Sequence, residues 1–166
     1  MNTRPLPTSI AAAVCATLIA ATTASAATMP PRKVLLHWIN HARAAHGLHA
    51  VRGSSSLRGA ALRHSADMMA RDYFAHTSPA GSTLTYRIER TGFVSGYSWT
   101  AGETLAWGTG SLSEARATVI AWLNSPEHRS IMLSSTYRRV GIGRACGNFM
   151  GYSSACVWTA DWVKRW

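Results

Sequence analysis

The chain has 166 residues, 47% of them apolar, which is enough for one compact domain with a core of its own. Its 17 Lys and Arg against 7 Asp and Glu give a formal net charge of +10, an excess that favours anionic surfaces such as polymer, lipid headgroups or acidic glycan. Nucleic acid is excluded as the partner, because the basic residues are spread along the whole chain and no nucleic-acid module is recognisable.

The N-terminus reads as a leader. "MNTRPLPTS" carries one arginine and no acid, "IAAAVCATLIAAT" (10–22) is an apolar run, and "ASA" (24–26) supplies small residues before a cleavage site. The run is too short to span a bilayer, and Val14 before Cys15 argues against lipid attachment there. A signal peptide over 1–26 leaves residues 27–166 as one domain of net charge +9 once Arg4 is lost, secreted or periplasmic and not membrane-spanning.

"PPRKVLLHWINHARAAHGL" (30–48) predicts a helix. Val34, Leu35, Trp38, Ile39, Ala42 and Ala45 form its apolar stripe, and Gly47 ends it. His37, His41, Arg43 and His46 fall on the other face; the i, i+4 spacing of His37 and His41 reads as a solvated face, since no third ligand or glutamate base accompanies it. A second helix is predicted over 54–76, with a serine N-cap and a stripe of Leu57, Ala61, His64 or Ser65, and Met68, where His64 reads as a satisfied core histidine. A shorter one follows over 82–92, capped by Ser82 or Thr83.

A polar, glycine-rich connection leads to "AGETLAWG" (101–108). "SLSEARATVIAWLN" (111–124) is the next helix, with Ser111 and Glu114 spaced as a capping box, and "SPEHRSIML" (125–133) restarts a turn on Ser125 and Pro126. The tail changes period: "RRVGIGRAC" (138–146) and "CVWTADWV" (156–163) read as strands. Helices followed by a strand-rich end predict an α+β fold, the helices packed on a mostly antiparallel sheet. Cys146 and Cys156, ten apart in an exported chain, read as a disulfide clamping a hairpin or as two free buried thiols.

No HExxH, GxSxG or GxxxxGK[ST] is present. "GIGRACG" (141–147) has the wrong spacing for a dinucleotide loop and lies in a strand. What remains is His76, Glu103 and His128, each beside a structure breaker (Pro79, Gly102, Pro126), positions that line clefts more often than cores. Two imidazoles can ligate zinc or another divalent cation, and the carboxylate can be a third ligand, an outer-sphere orienter or a general base.

Taken in order, "INHARAAHGL", "HSADMMARDYFAHTSPAG", "AGETLAWG", "AWLNSPEHRSIML" and "VGIGRACG" resemble the CAP superfamily of cysteine-rich secretory, antigen 5 and pathogenesis-related 1 proteins, in its bacterial SCP-like branch. The resemblance runs from about Leu35 to Trp162 and implies a three-layer α-β-α sandwich with a central cavity. It places the family's two cavity histidines on His76 and His128 and its acid on Glu103. Ser125 stands where animal and plant members carry a second acid, which reduces the four-member cavity to three, and Thr104 stands where the glutamate is followed by Asn, which leaves a hydroxyl for a carboxamide.

Three functions are compatible with this reading. The first is an exported binding module with a metal in the His/Glu cavity and a basic surface for anionic envelope components. The second is a hydrolase of peptidoglycan or peptide using His76, Glu103 and His128. The third is a lipid- or sterol-binding module with Phe93, Trp99 and Trp107 as wall residues.

Overall fold

The computed structural model describes residues 29–166; the leader expected over 1–26, Cys15 included, lies outside the described residues. Within them the order is α1 (Pro31–Ala45), β1 (Arg52–Gly53), α2 (Ser55–Arg71), α3 (Leu84–Glu89), β2 (Trp99–Thr109), a 3-10 turn (Gly110–Ser113), α4 (Ala115–Asn124), α5 (Pro126–Met132), β3 (Arg139–Phe149) and β4 (Tyr152–Arg165). No helix among the described residues is long and apolar enough to cross a membrane.

The four strands form one sheet in the order β1-β3-β4-β2. β4 runs antiparallel to both long neighbours, β2 and β3, and only the two-residue β1 is parallel, so the sheet is mixed but mostly antiparallel. β4 is buried from Ala155 to Val163 because helices cover both faces. Trp158, Ala160 and Trp162 turn one way, into a cluster with Leu35 and Ile39 of α1, Val119 and Trp122 of α4 and Met132 of α5. Val157 and Val163 turn the other way, toward Met68 and Leu57 of α2. The result is the α-β-α sandwich.

α2 lies against the sheet more closely than side chains would permit. A Cβ on Gly141 would sit 2.2 Å from the Leu57 carbonyl carbon, and one on Gly143 would sit 2.3 Å from backbone atoms of Ala61 and Leu62. The glycines of "GIGRACG" are therefore a seat for a helix backbone.

The β3–β4 hairpin turns on Met150 and Gly151, both at positive φ, as a two-residue primed turn requires. Cys146 and Cys156 are directly opposed in that ladder and are joined by a disulfide. Replacing both by serine is expected to destabilise the domain by about 2–3 kcal/mol, the entropy of closing a loop of this length in the unfolded chain. Urea unfolding of the oxidised parent and the double variant, without reductant, measures it.

Several boundaries differ from expectation. α2 stops at Arg71, because Asp72 adopts φ 52, and so it does not reach His76. The Ser111/Glu114 box does not form: residues 110–113 make the 3-10 turn, and Glu114 is an N-cap without a side-chain bond. Arg43, expected on the solvated face of α1, is fully buried and donates to the carbonyls of His49, Met132 and Ser134. It thereby serves orphan carbonyls at the C-terminal end of α5.

Candidate functional site

The site forms where β2 meets the segments that follow α2 and α4. Glu103 leaves β2 on the α2 side of the sheet, almost fully buried. His76 comes from the extended stretch after α2, Arg87 from α3, and His128 from α5. Thr104, the next residue, points to the opposite face, where its hydroxyl accepts from Trp162 Nε1 at 3.1 Å; it is not part of this cavity.

Both oxygens of Glu103 are engaged. Arg87 Nη2 donates to Oε2 at 2.6 Å, and His76 Nδ1 lies 2.7 Å from Oε1. Burial would raise the Glu103 carboxyl, but the His76 hydrogen bond and the Arg87 charge outweigh it and hold the group below its usual range. Glu103 is thus ionised and accepts, so His76 donates from Nδ1 and, when neutral, keeps a lone pair on Nε2. The two side chains differ sharply in access: His76 is 56% exposed and Glu103 is 2%.

Arg87 also donates to the carbonyls of His76 and Ser82, at 3.0 and 2.8 Å, which fixes the loop carrying His76. Beneath this, His64 Nε2 donates to the Ala75 carbonyl at 3.0 Å and lies 3.9 Å from Glu103 Oε1. Its imidazole is pushed down chiefly by burial, against the pull of Glu103, so it sits neutral and satisfied, as expected from its place on the α2 stripe.

His76 and His128 come together, their ring centroids 6.4 Å apart. Burial, then the neighbouring His76, lowers the pKa of His128, which favours a neutral ring. Ser125 is the half-buried residue that precedes α5 and supplies no acid. Among the described residues no three His, Cys, Asp or Glu side chains are grouped as a ready metal-holding set. The donors on offer are the two imidazoles, with Glu103 tied behind one of them.

Two members of the site were missed in the sequence. Arg87 left no signal, since one arginine on a short helix resembles any solvated charge. Asp161 did leave one, an acid inside the otherwise apolar strand "CVWTADWV". It is fully buried directly across from Glu103 in the β2–β4 register. No ordinary donor reaches either of its oxygens among the described residues. Burial first, and then the Glu103 charge, push its carboxyl well above the usual range, so it stands as a neutral acid beside Glu103.

The aromatic trio considered for lipid falls in two places. Phe93 and Trp99 pack beside α3, whereas Trp107 packs on Phe149 and Tyr152.

The CAP family, described as the cysteine-rich secretory protein family, matches residues 36–162. The chain is 31% identical over 134 residues to the uncharacterized membrane protein YlbC of Bacillus subtilis (strain 168), covering 81% of this chain and 34% of that protein. It is 28% identical over 133 residues to YkwD of the same organism, covering 80% of this chain and 47% of that protein. The chain thus spans less than half of either relative's length. Among solved structures, an outer surface protein from Borrelia burgdorferi superposes with a TM-score of 0.69 at 22% identity, over 82% of this chain and 93% of that one. An extracellular SCP-domain protein from Bacillus anthracis gives 0.65 at 28% identity, over 80% of this chain and 39% of that one.

Proposed function

The chain belongs to the CAP family of cysteine-rich secretory proteins, and from that premise we propose that it is an exported binding module of the cell envelope whose His76–His128 pair takes up a divalent cation, zinc foremost. The similarity to an extracellular SCP-domain protein supports export. One observation carries the metal reading: Glu103 accepts from His76 Nδ1 at 2.7 Å. A buried carboxylate holding the far nitrogen of an exposed imidazole fixes its tautomer and raises the basicity of the free Nε2, as carboxylate partners of metal-bound histidines do.

The donor set fits a cation held by two neutral nitrogens. His128 is disposed to stay neutral, and the exposed His76 ring lies 6.4 Å from it, centroid to centroid, with Nδ1 held by Glu103. Glu103, with both oxygens already engaged, acts from outside the coordination sphere rather than as a third ligand. When bound, the ion supplies a Lewis-acid centre whose other positions go to water or to an anionic group of an envelope polymer. The surplus of arginine favours that contact.

Isothermal titration of zinc into residues 27–166 tests this. Zinc is expected to bind at pH 7.5, to weaken by tenfold or more in His76→Ala and in His128→Ala, and to be lost by pH 5 as the imidazoles protonate. Absence of binding at pH 7.5, or affinity indifferent to both substitutions, would sink the reading.

The same geometry favours one form of the hydrolase alternative. An imidazole oriented by a buried carboxylate is a base with its orienter, so the general base would be His76 and not the inaccessible Glu103. Mass spectrometry of sacculi incubated with the protein decides it: released fragments that vanish with His76→Ala would make the domain a hydrolase, and no fragments with or without zinc would leave the binding module.

A further inference from the structure

We infer that the open edge of β3 is a docking site for an extended acidic peptide segment, bound by strand addition on the side of the sheet remote from the histidine pair. β1 covers that edge for only two residues, Arg52 opposite Arg139 and Gly53 opposite Val140. The chain then turns into α2, with the Ser54 N–H donating to the Val140 carbonyl at 2.9 Å. From Gly141 onward β3 has a strand partner on one side only among the described residues.

Backbone groups on a strand alternate in direction. Val140 bonds toward β1, so those of Ile142, Arg144 and Cys146 address the same open side, in register with it. Two adjoining hollows of about 380 and 300 Å³ follow that side, and the β3 residues lining them are Val140, Ile142, Arg144 and Cys146. The trough runs between the N-terminal parts of α1 and α2, with Leu36, Val140, Ile142 and Leu62 as apolar wall. It is large enough for a strand of about five residues, roughly 16 Å long.

Charge complementarity selects the occupant. Arg32, Lys33, Arg58 and Arg144 line the trough, and no acid does. Arg144 keeps a buried Nε without a partner. Main-chain bonds would supply affinity and the arginines would select acidic side chains, the division of labour in strand addition. An exposed edge of this kind invites pairing unless it is blocked, and here the guarding charges are all of one sign.

The test is fluorescence anisotropy with residues 27–166 and a labelled peptide, Ac-Glu-Val-Glu-Val-Glu-Val-Gly-amide. Saturable binding is expected, with no binding of the Lys-for-Glu counterpart and none of a version N-methylated at every second residue. Arg144→Glu and, on the exposed face of α2, Arg58→Glu should each weaken binding on the order of tenfold, while His76→Ala leaves it unchanged. Equal binding of the N-methylated peptide, or its displacement by decanoate with the charge dependence intact, would assign the trough to an anionic amphiphile and overturn the inference. No binding of the acidic peptide, or an affinity that ignores Arg58→Glu, would overturn it outright.

Discussion

Glu103→Gln is expected to destabilise the domain by about 3–5 kcal/mol at neutral pH, the cost of stranding one member of a buried ion pair. Arg87 is 8% exposed and would lose its carboxylate partner, keeping only the carbonyls of His76 and Ser82. Those carbonyls belong to the loop that carries His76, so the lost stability and the lost order of the histidine should arrive together. The double variant Glu103→Gln with Arg87→Leu should recover part of the loss, because it leaves neither charge buried alone.

The pH dependence has a definite sign. The Glu103 carboxyl is lowered in the fold, so its contribution is present above the ordinary 4.5 and is lost as pH falls through its folded value. His64, lowered by burial, acts in the same sense: its neutral ring is compatible with the fold above 6.5, and its charging below that costs stability. Asp161 acts oppositely. Its raised carboxyl contributes fully below 3.8 and loses that contribution as pH rises. The stability gap between parent and Glu103→Gln, read from urea midpoints, should therefore shrink as the pH is lowered below about 4.5. A gap that is constant from pH 7 to pH 3 would mean that folding leaves the Glu103 carboxyl at its ordinary value, against the lowering that the Arg87 and His76 contacts produce.

Gly143→Ala is expected to cost about 3 kcal/mol or more, an unusually large effect for one methyl group, because the group has nowhere to go. The new Cβ would meet backbone atoms of Ala61 and Leu62 at 2.3 Å, and a helix backbone cannot swing aside as a side chain can. Gly147→Ala in the same strand is the control. Its Cβ would meet only the flexible end of Met69, at 3.4 Å, so it should cost under about 1 kcal/mol. Equal midpoints for the two variants would show that α2 is free to move off the sheet.

The readable parts of the fold were those written in periodicity. The stripe of α1 and the strand of β3 follow from which side faces apolar neighbours, the serine cap of α2 from a local bond to the Leu57 N–H, and each formed near its expected place. Positions set by a distant partner were harder to read. Arg43 looks like a solvated charge until the end of α5 arrives beside it with open carbonyls. Asp72 ends α2 by a left-handed residue that carries no glycine to announce it. The capping pair at Ser111 and Glu114 lost to a tighter turn, in which Ser113 and Trp158 are joined by the indole N–H at 3.0 Å. His76, Glu103 and His128 stood out beside Pro79, Gly102 and Pro126 and in segments that resemble the CAP family, and the fold brings the three together. Arg87 could not, since its role exists only once α3 brings it to Glu103, whereas Asp161 showed as an acid in an apolar strand but gained its place only when the register set it against Glu103.

The place of β4 in the sheet sets the order of events in the life of the chain. It is the strand to which β2 and β3 both pair, and over Tyr152–Arg165 it follows every other described element in the chain. β2 finds its partner more than forty residues downstream, so every helix that precedes β4 is synthesised with no completed surface to pack on. Loss of the final dozen residues would therefore remove the centre of the sheet rather than trim its edge. A polypeptide so arranged stays open until β4 has been made and closes only then.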